Sequence, residues 1–255
     1  MSFVKPRPAN EEPDPLAALL REHEEHDQFC IELADGLHAL AQPLTIVRSA
    51  ISLLEMARES GADSARSGAD ESPDSADSGR DGADSSRYIE MSGRQIDRAC
   101  RIFASLQALV AVHVVPANPQ SVDIEDLLSH IVADPPPPLG ERGIGFATSG
   151  AAGTVFGDRH RTEQAIAAAI EAAASAASAG DVIQIDTSRS EGYVEFVIQC
   201  AGRLENSPSS SERLNLSVAR ASILSQQGRY RFTPDPFRIS LVLPGLQPHI
   251  EKQPG

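Results

Sequence analysis

Hydrophobic and polar positions follow three different rhythms along this chain. From Leu16 to Ala57 the rhythm is helical. Leu33, Leu37, Leu40, Leu44, Val47, Ile51 and Leu54 recur in steps of four and three, a heptad seam held for about three repeats. So narrow a stripe suits packing against other long helices, not against a sheet. A second helical rhythm runs from about Tyr88 to Val112, where Ile89, Ile96, Phe103 and Val110 repeat at seven with Ala99 and Leu106 between them. The two are separated by residues 59–87, "ESGADSARSGADESPDSADSGRDGADSSR". Their Ser/Asp/Gly bias buries too little apolar surface to order itself, so a disordered linker is predicted there. Two heptad helices with a polar connection predict an antiparallel hairpin. One hairpin cannot cover its own seam, which predicts a homodimer with a four-helix bundle.

The rhythm changes after "VPANPQ". "SVDIEDLLSHIV" predicts a short strand leading into a helix, "DPPPPLGERG" an extended loop, and "GIGFATS" and "GTVFG" short strands. Residues 158–178 predict an alanine-rich helix capped by Asp158. "DVIQIDTS" and "YVEFVIQC" follow as strands, the second with Val194, Phe196 and Ile198 alternating onto one face. A helix over "SERLNLSVARASILSQQG" ends at Gly228, and "RYRFTPD" and "FRISLVLP" close the pattern as strands. The predicted fold class is α+β: a helical hairpin followed by a mixed sheet with helices on one face. The predicted boundaries are a tail at 1–14, the hairpin domain at 15–115, the sandwich at 116–245 and a tail at 246–255.

Composition and charge sharpen this picture. With no tryptophan and 4% aromatics, the core has to be aliphatic and alanine-based. The net charge of -14 argues against nucleic acid, whose phosphates demand basic patches, and favours protein partners over an anionic membrane. No unbroken apolar run approaches the ~18–20 residues of a membrane span, and the proline-rich, polar N-terminus does not read as a signal peptide. Cys30, Cys100 and Cys200 stand far apart without ligand spacing and suit a reducing cytoplasm. No metal site is predicted: the acidic residues of 59–87 lack calcium-loop spacing, and "HEEH" at 23–26 reads as a solvated helix face.

The candidate chemistry sits in the first helix. His38 lies one place beyond the seam residue Leu37, on the flank of the bundle and not in its core. A neutral imidazole is a competent nucleophile at cytoplasmic pH. Pro43 has no amide hydrogen, so the carbonyl of Ala39 loses its helical partner and a bend is expected within about a turn of His38. Such a bend would open the flank to a docking partner, and Gln42, one turn beyond His38, would line it.

"HALAQPLTIV" resembles the phosphoacceptor motif of sensor histidine kinases, H-E-L-x-x-P-L, with His38, Leu40, Pro43 and Leu44 matching. The arginine-rich "RQIDRACRIFASLQAL" is similar to that family's second helix, and "VFGDRHRTEQAI" to the G-D-x-x-R-x-x-Q stretch opening its nucleotide helix. The resemblance covers about residues 30–243. It implies a dimerisation and phosphotransfer hairpin carrying His38 as phosphoacceptor, an ATPase-like sandwich, and a response-regulator receiver domain as partner. In some relatives a polar side chain at the place of Gln42 orients water for receiver dephosphorylation.

The departures from the family fall where ATP chemistry is expected. The acid that follows the phosphoacceptor is Ala39, which takes no proton. The asparagines that hold magnesium and phosphate correspond to Ala168 and Ala172, which offer no oxygen. In place of the adenine-binding D-x-G-x-G stands "CAGRLEN", with Cys200 at the aspartate and only Gly202 surviving. The glycines of the next segment are replaced by "LNLS", so the backbone cannot closely approach phosphates. The resemblance therefore implies a cytoplasmic histidine phosphotransferase built on a kinase scaffold. It would exchange a phosphoryl group between His38 and a receiver aspartate, without a cofactor and without using ATP. Two alternatives stand beside it: a divergent ATP- and magnesium-dependent histidine kinase, and a non-catalytic dimeric adaptor in which His38 is vestigial.

Overall fold

The computed structural model describes residues 15–67, 78–133, 139, 142–150, 153–190, 192–204 and 208–245. The tails at 1–14 and 246–255 and most of the proline loop lie outside them. Two long helices open the chain: α1, Pro15–Ser67, and α2, Ser78–Val114. Both reach into the stretch read as a linker. Helix occupies 59–67 and 78–87, and only 68–77 falls outside the described residues. Once a helix is nucleated each further residue adds a hydrogen bond, and Ala62 and Ala65 favour its continuation.

The hairpin has two seams. The inner one on α1 is made of small residues: Gly36, Ala39, Pro43 and Ala50 are buried, opposite Ala99, Ile102, Leu106 and Leu109 of α2. Of the larger apolar residues read as the seam, Leu33 and Leu40 pack against the core and Leu106 is buried in it. Others stand on another side: Leu44 is 51% exposed and Phe103 52%, and Leu37, Ile51, Ile89 and Ile96 are similarly open. Small residues bring the helix axes close, and Leu37, Leu44 and Ile51 are left pointing away. Helix α1 runs through Pro43 unbroken, and Pro43 is buried.

By length and composition helix α1 holds, within His26–Met56, an 18-residue window apolar enough to cross a membrane, with a mean hydropathy of 1.2 and 17% of that window buried. This differs from the count of unbroken apolar runs, because Glu32, Asp35, Arg48 and Glu55 interrupt the stretch without outweighing its leucines and isoleucines.

Beyond the hairpin the predicted order of elements holds. Strand β1, Gln120–Asp123, leads into α3, Ile124–Ala133, whose first amides are capped by the Asp123 carboxylate. Then come β2, Gly145–Gly150; β3, Thr154–Gly157; and α4, Arg159–Ala176. These are followed by β4, Val182–Ser190; β5, Tyr193–Gln199; α5, Ser210–Leu224; β6, Arg229–Pro234; and β7, Phe237–Pro244. The main sheet has the order β2-β4-β5-β7-β6; β2 and β4 are parallel and the other pairs antiparallel. A separate ribbon pairs β1 with β3. One face of the sheet supplies Ile183, Ile185, Val194, Phe196, Ile198, Ile239, Leu241 and Leu243, all fully buried under the helices. The opposite face is polar, with Asp186 accepting from Ser149, Gln184 and Gln199.

Helix α4 is alanine-rich because it is buried on most of its circumference. Ala165, Ala169, Ala172 and Ala173 are fully enclosed, and only a methyl-sized side chain lets the helix sit this close to the sheet and to α5. Its N-terminus is capped by Asp158, which accepts from the Arg161 amide.

Candidate functional site

Helix α5 is the piece that joins hairpin and sandwich. It begins in a capping box, with Ser209 accepting from the Glu212 amide and Glu212 accepting from the Ser209 amide. On one side it grips α1. Arg213 holds Asp35 in a two-pronged pair, Nε to Oδ2 at 2.8 Å and Nη2 to Oδ1 at 3.0 Å, and Arg220 stands 3.6 Å from Glu32. On the other side Ser105 of α2 donates to Asn215 Oδ1 at 3.1 Å, and the same amide donates to Glu171 of α4 at 3.0 Å. Between these anchors Leu214 is buried and Gly36 leaves no room for a side chain. A Cβ there would fall 2.3 Å from Leu106 Cδ2 and 3.2 Å from Leu214 Cδ1. The connection out of the hairpin is fastened too: the Asn118 amide donates to Asp158 at 2.9 Å, and Arg161 donates to the Val115 carbonyl.

His38 is exposed on α1, one helical turn beyond Asp35, and its ring makes no hydrogen bond among the described residues. Asp35 is held below the usual carboxylate range, first by the hydrogen bond from Arg213, with partial burial opposing, and then by the charges of Arg213 and His38. Gln42 is exposed a further turn along, on the same flank as His38, while Ala39 and Pro43 turn inward. His38 and Gln42 are thus brought together with the end of α5 that carries Arg213. Pro43 supports the inner seam and does not reach the flank.

Of the four positions read as a degenerate nucleotide pocket, Ala168, Ala172 and Cys200 are buried inside the sandwich and Gly202 is half-buried. Ala172 is fully buried and Ala168 nearly so. Burial raises the pKa of the Cys200 thiol, which lies 3.7 Å from the Ala173 carbonyl. At Gly202 the chain packs directly on the end of α4, where an added Cβ would fall 1.9 Å from the Ala176 carbonyl oxygen. The Gly202 carbonyl accepts from the Phe237 amide, and the Leu204 amide donates to Pro234. These residues tie the segment after β5 to β7 and to the approach to it, and they supply no oxygen ligand to a magnesium ion. Among the described residues no three of His, Cys, Asp and Glu converge on a point. His23 and His26 stay on an exposed helix face, beside Asp27 and Cys30.

The anchors of α5 were not foreseen from the sequence. Asp35 and Arg213 lie 178 residues apart, and neither belongs to a recognisable motif. The one local signal was the S-x-x-E of the capping box.

No family model matches the chain, and no curated protein matches it. Solved structures do. The histidine kinase AdeS of Acinetobacter baumannii superposes with a TM-score of 0.58 at 16% identity, over 82% of this chain and 98% of that one. The fold is a histidine kinase fold. A mycobacterial sensor histidine kinase, MprB, aligns with half of this chain (50%) and 98% of its own at 20% identity, with a TM-score of 0.43. The AdeS match takes in most of the chain, as the sequence resemblance did.

Proposed function

We propose that this chain carries a phosphoryl group on His38 and exchanges it with the aspartate of a response-regulator receiver domain, as a two-component phosphorelay protein that does not itself use ATP. The observation that carries this reading is the contrast between an exposed His38 and the buried Ala168, Ala172 and Cys200, with Gly202 packed directly on the end of α4. The imidazole is open to a partner while the kinase-like nucleotide positions are occupied by the protein's own packing.

In the transfer, an imidazole nitrogen lone pair attacks the phosphorus of the receiver's aspartyl phosphate. The N–P bond forms as the bond from phosphorus to the carboxylate oxygen breaks, the carboxylate leaves with the electron pair, and the proton on the other ring nitrogen passes to water. Nothing in these steps asks for an acid at position 39, and the methyl of Ala39 is turned into the hairpin. Any divalent ion required is supplied by the receiver's own acidic pocket. The reverse sequence returns the group to a second receiver. Gln42, exposed on the same flank, lies where a receiver would cover it.

The exposed heptad stripe of Leu37, Leu44, Ile51, Ile89, Ile96 and Phe103 supports a homodimer, in which two hairpins bury their stripes as a four-helix bundle. The reading places the protein in the cytoplasm, where receiver domains act.

The test begins with purified protein, radiolabelled ATP and magnesium, wild type beside His38→Gln, followed by labelled phospho-receiver as donor. We expect no label from ATP on either protein, and label from phospho-receiver on wild type alone. Label from ATP on wild type but not on His38→Gln would replace this reading with an ATP-dependent kinase. Transfer to neither protein from any donor would leave the adaptor reading.

A further inference from the structure

Between α2, α4 and α5 lies a groove of about 340 Å3 whose lining is basic, in a chain of net charge -14. Arg98 and Arg101 enter it from α2, one helical turn apart, and neither makes a hydrogen bond or ion pair among the described residues. Arg142 enters from the turn before β2 and is used structurally: it donates to the Ala174 carbonyl, and to the Ala177 carbonyl at 2.7 Å, at the end of α4. The hydroxyls of Ser105, Ser175 and Ser211 and the amide of Asn215 complete the polar wall.

One carboxylate is present. Glu171 is largely withdrawn from water, and burial, partly offset by the Asn215 hydrogen bond and the Arg101 charge, raises its pKa. Its oxygen is turned to Asn215, so it does not neutralise Arg98. The apolar lining is limited to Ile102 and Ala174, and no aromatic ring borders the groove. The Ser105 and Ser175 hydroxyls already donate to Asn215 and to the Glu171 carbonyl and Ser211 is bonded to Ser209, so a ligand here finds chiefly guanidinium forks, and no surface on which a base could stack. Paired guanidiniums match the oxygens of phosphoryl groups, each able to donate two parallel hydrogen bonds. The volume lies at the small end of ligand sites.

We propose that this groove binds a short polyphosphate anion, two or three linked phosphoryl groups, through Arg98 and Arg101, and that it does so without recognising a base. The site is built from hairpin and sandwich together and is distinct from the exposed flank that carries His38; it does not rest on the phosphorelay reading. The anion has two sources with the same chemistry, free inorganic polyphosphate and the tail of a nucleotide.

The experiment is calorimetric titration of the full chain with inorganic tripolyphosphate, and separately with ATP, in low-salt buffer without divalent ions. We expect wild type and His38→Gln to bind tripolyphosphate equally, and Arg98→Ala and Arg101→Ala each to weaken binding about ten-fold, the worth of a hydrogen-bonded charge. Arg98→Glu should abolish it, and affinity should fall as salt is added. Arg98 is exposed and Arg101 half-buried, and circular dichroism checks that each variant keeps its fold. ATP binding within a few-fold of tripolyphosphate identifies a nucleotide tail as an acceptable source; exclusion of ATP identifies free polyphosphate. No binding by wild type, binding indifferent to both arginines, or ATP binding about a hundred-fold tighter than tripolyphosphate would each overturn the proposal, the last because it requires a base pocket.

Discussion

Gly202 has a packing task in this fold. At the corresponding place the sequence resemblance implies a glycine that lets the backbone approach a nucleotide. In this protein the missing side chain lets the segment after β5 lie against the last turn of α4, with the Ala176 carbonyl where a Cβ would be. Gly202→Ala therefore forces two backbones apart, and we expect it to cost about 1–3 kcal/mol, read as a lowered melting temperature. Unchanged stability would mean that this contact is loose. The burial of Cys200, Ala168 and Ala172 has the same sense: residues that the resemblance marks as lost ligands are working core residues. Their identities were legible in the sequence. Their burial was not, because an alanine in an amphipathic helix reads the same whether it lines a cavity or fills one.

Among the elements, the strands and α3, α4 and α5 stand close to where period and capping signals put them, since each signal is local. The face of α1 that packs within the chain was read only in part, through Leu33 and Leu40. Gly36, Ala39, Pro43 and Ala50 carry little hydrophobicity, so the leucines dominated the pattern, yet close approach of helices selects the small residues. The grip of α5 on α1 and α2 was equally hidden, resting on polar pairs more than a hundred residues apart. The Asp35–Arg213 pair gives this grip a pH dependence. The folded-state pKa of Asp35 lies below its unfolded value of about 3.9, so its contribution to stability is fully present above that value and lost as pH falls through the lower folded one. The stability gap between wild type and Asp35→Asn should be present at about pH 5 and should close on further acidification. Urea titrations at a series of pH values measure it. A gap that persisted unchanged at pH 2 would assign the effect to packing and not to charge.

For the molecule as a whole, the apolar stripe on the outside of the hairpin is a surface that the described residues of one chain leave uncovered. If a second copy covers it, charge placed there should separate the copies without unfolding either. The double variant Leu44→Glu and Phe103→Glu, both positions about half exposed, is expected to sediment as a monomer with unchanged helix content where wild type sediments as a dimer. A wild-type monomer at micromolar concentration would remove the bundle from the picture.

The attachments between hairpin and sandwich have a mechanical meaning. The sandwich is fastened to α1 through Asp35 and Glu32, to α2 through Ser105, and to the end of the hairpin through Val115 and Asn118. A rigid body pinned at two points still pivots about the line between them; pinned at three that are not in line, it has no freedom left. The sandwich is pinned to the hairpin at separate places of this kind, so swinging it about any one of them loads the others. To anything that docks beside His38, hairpin and sandwich present adjoining parts of one surface.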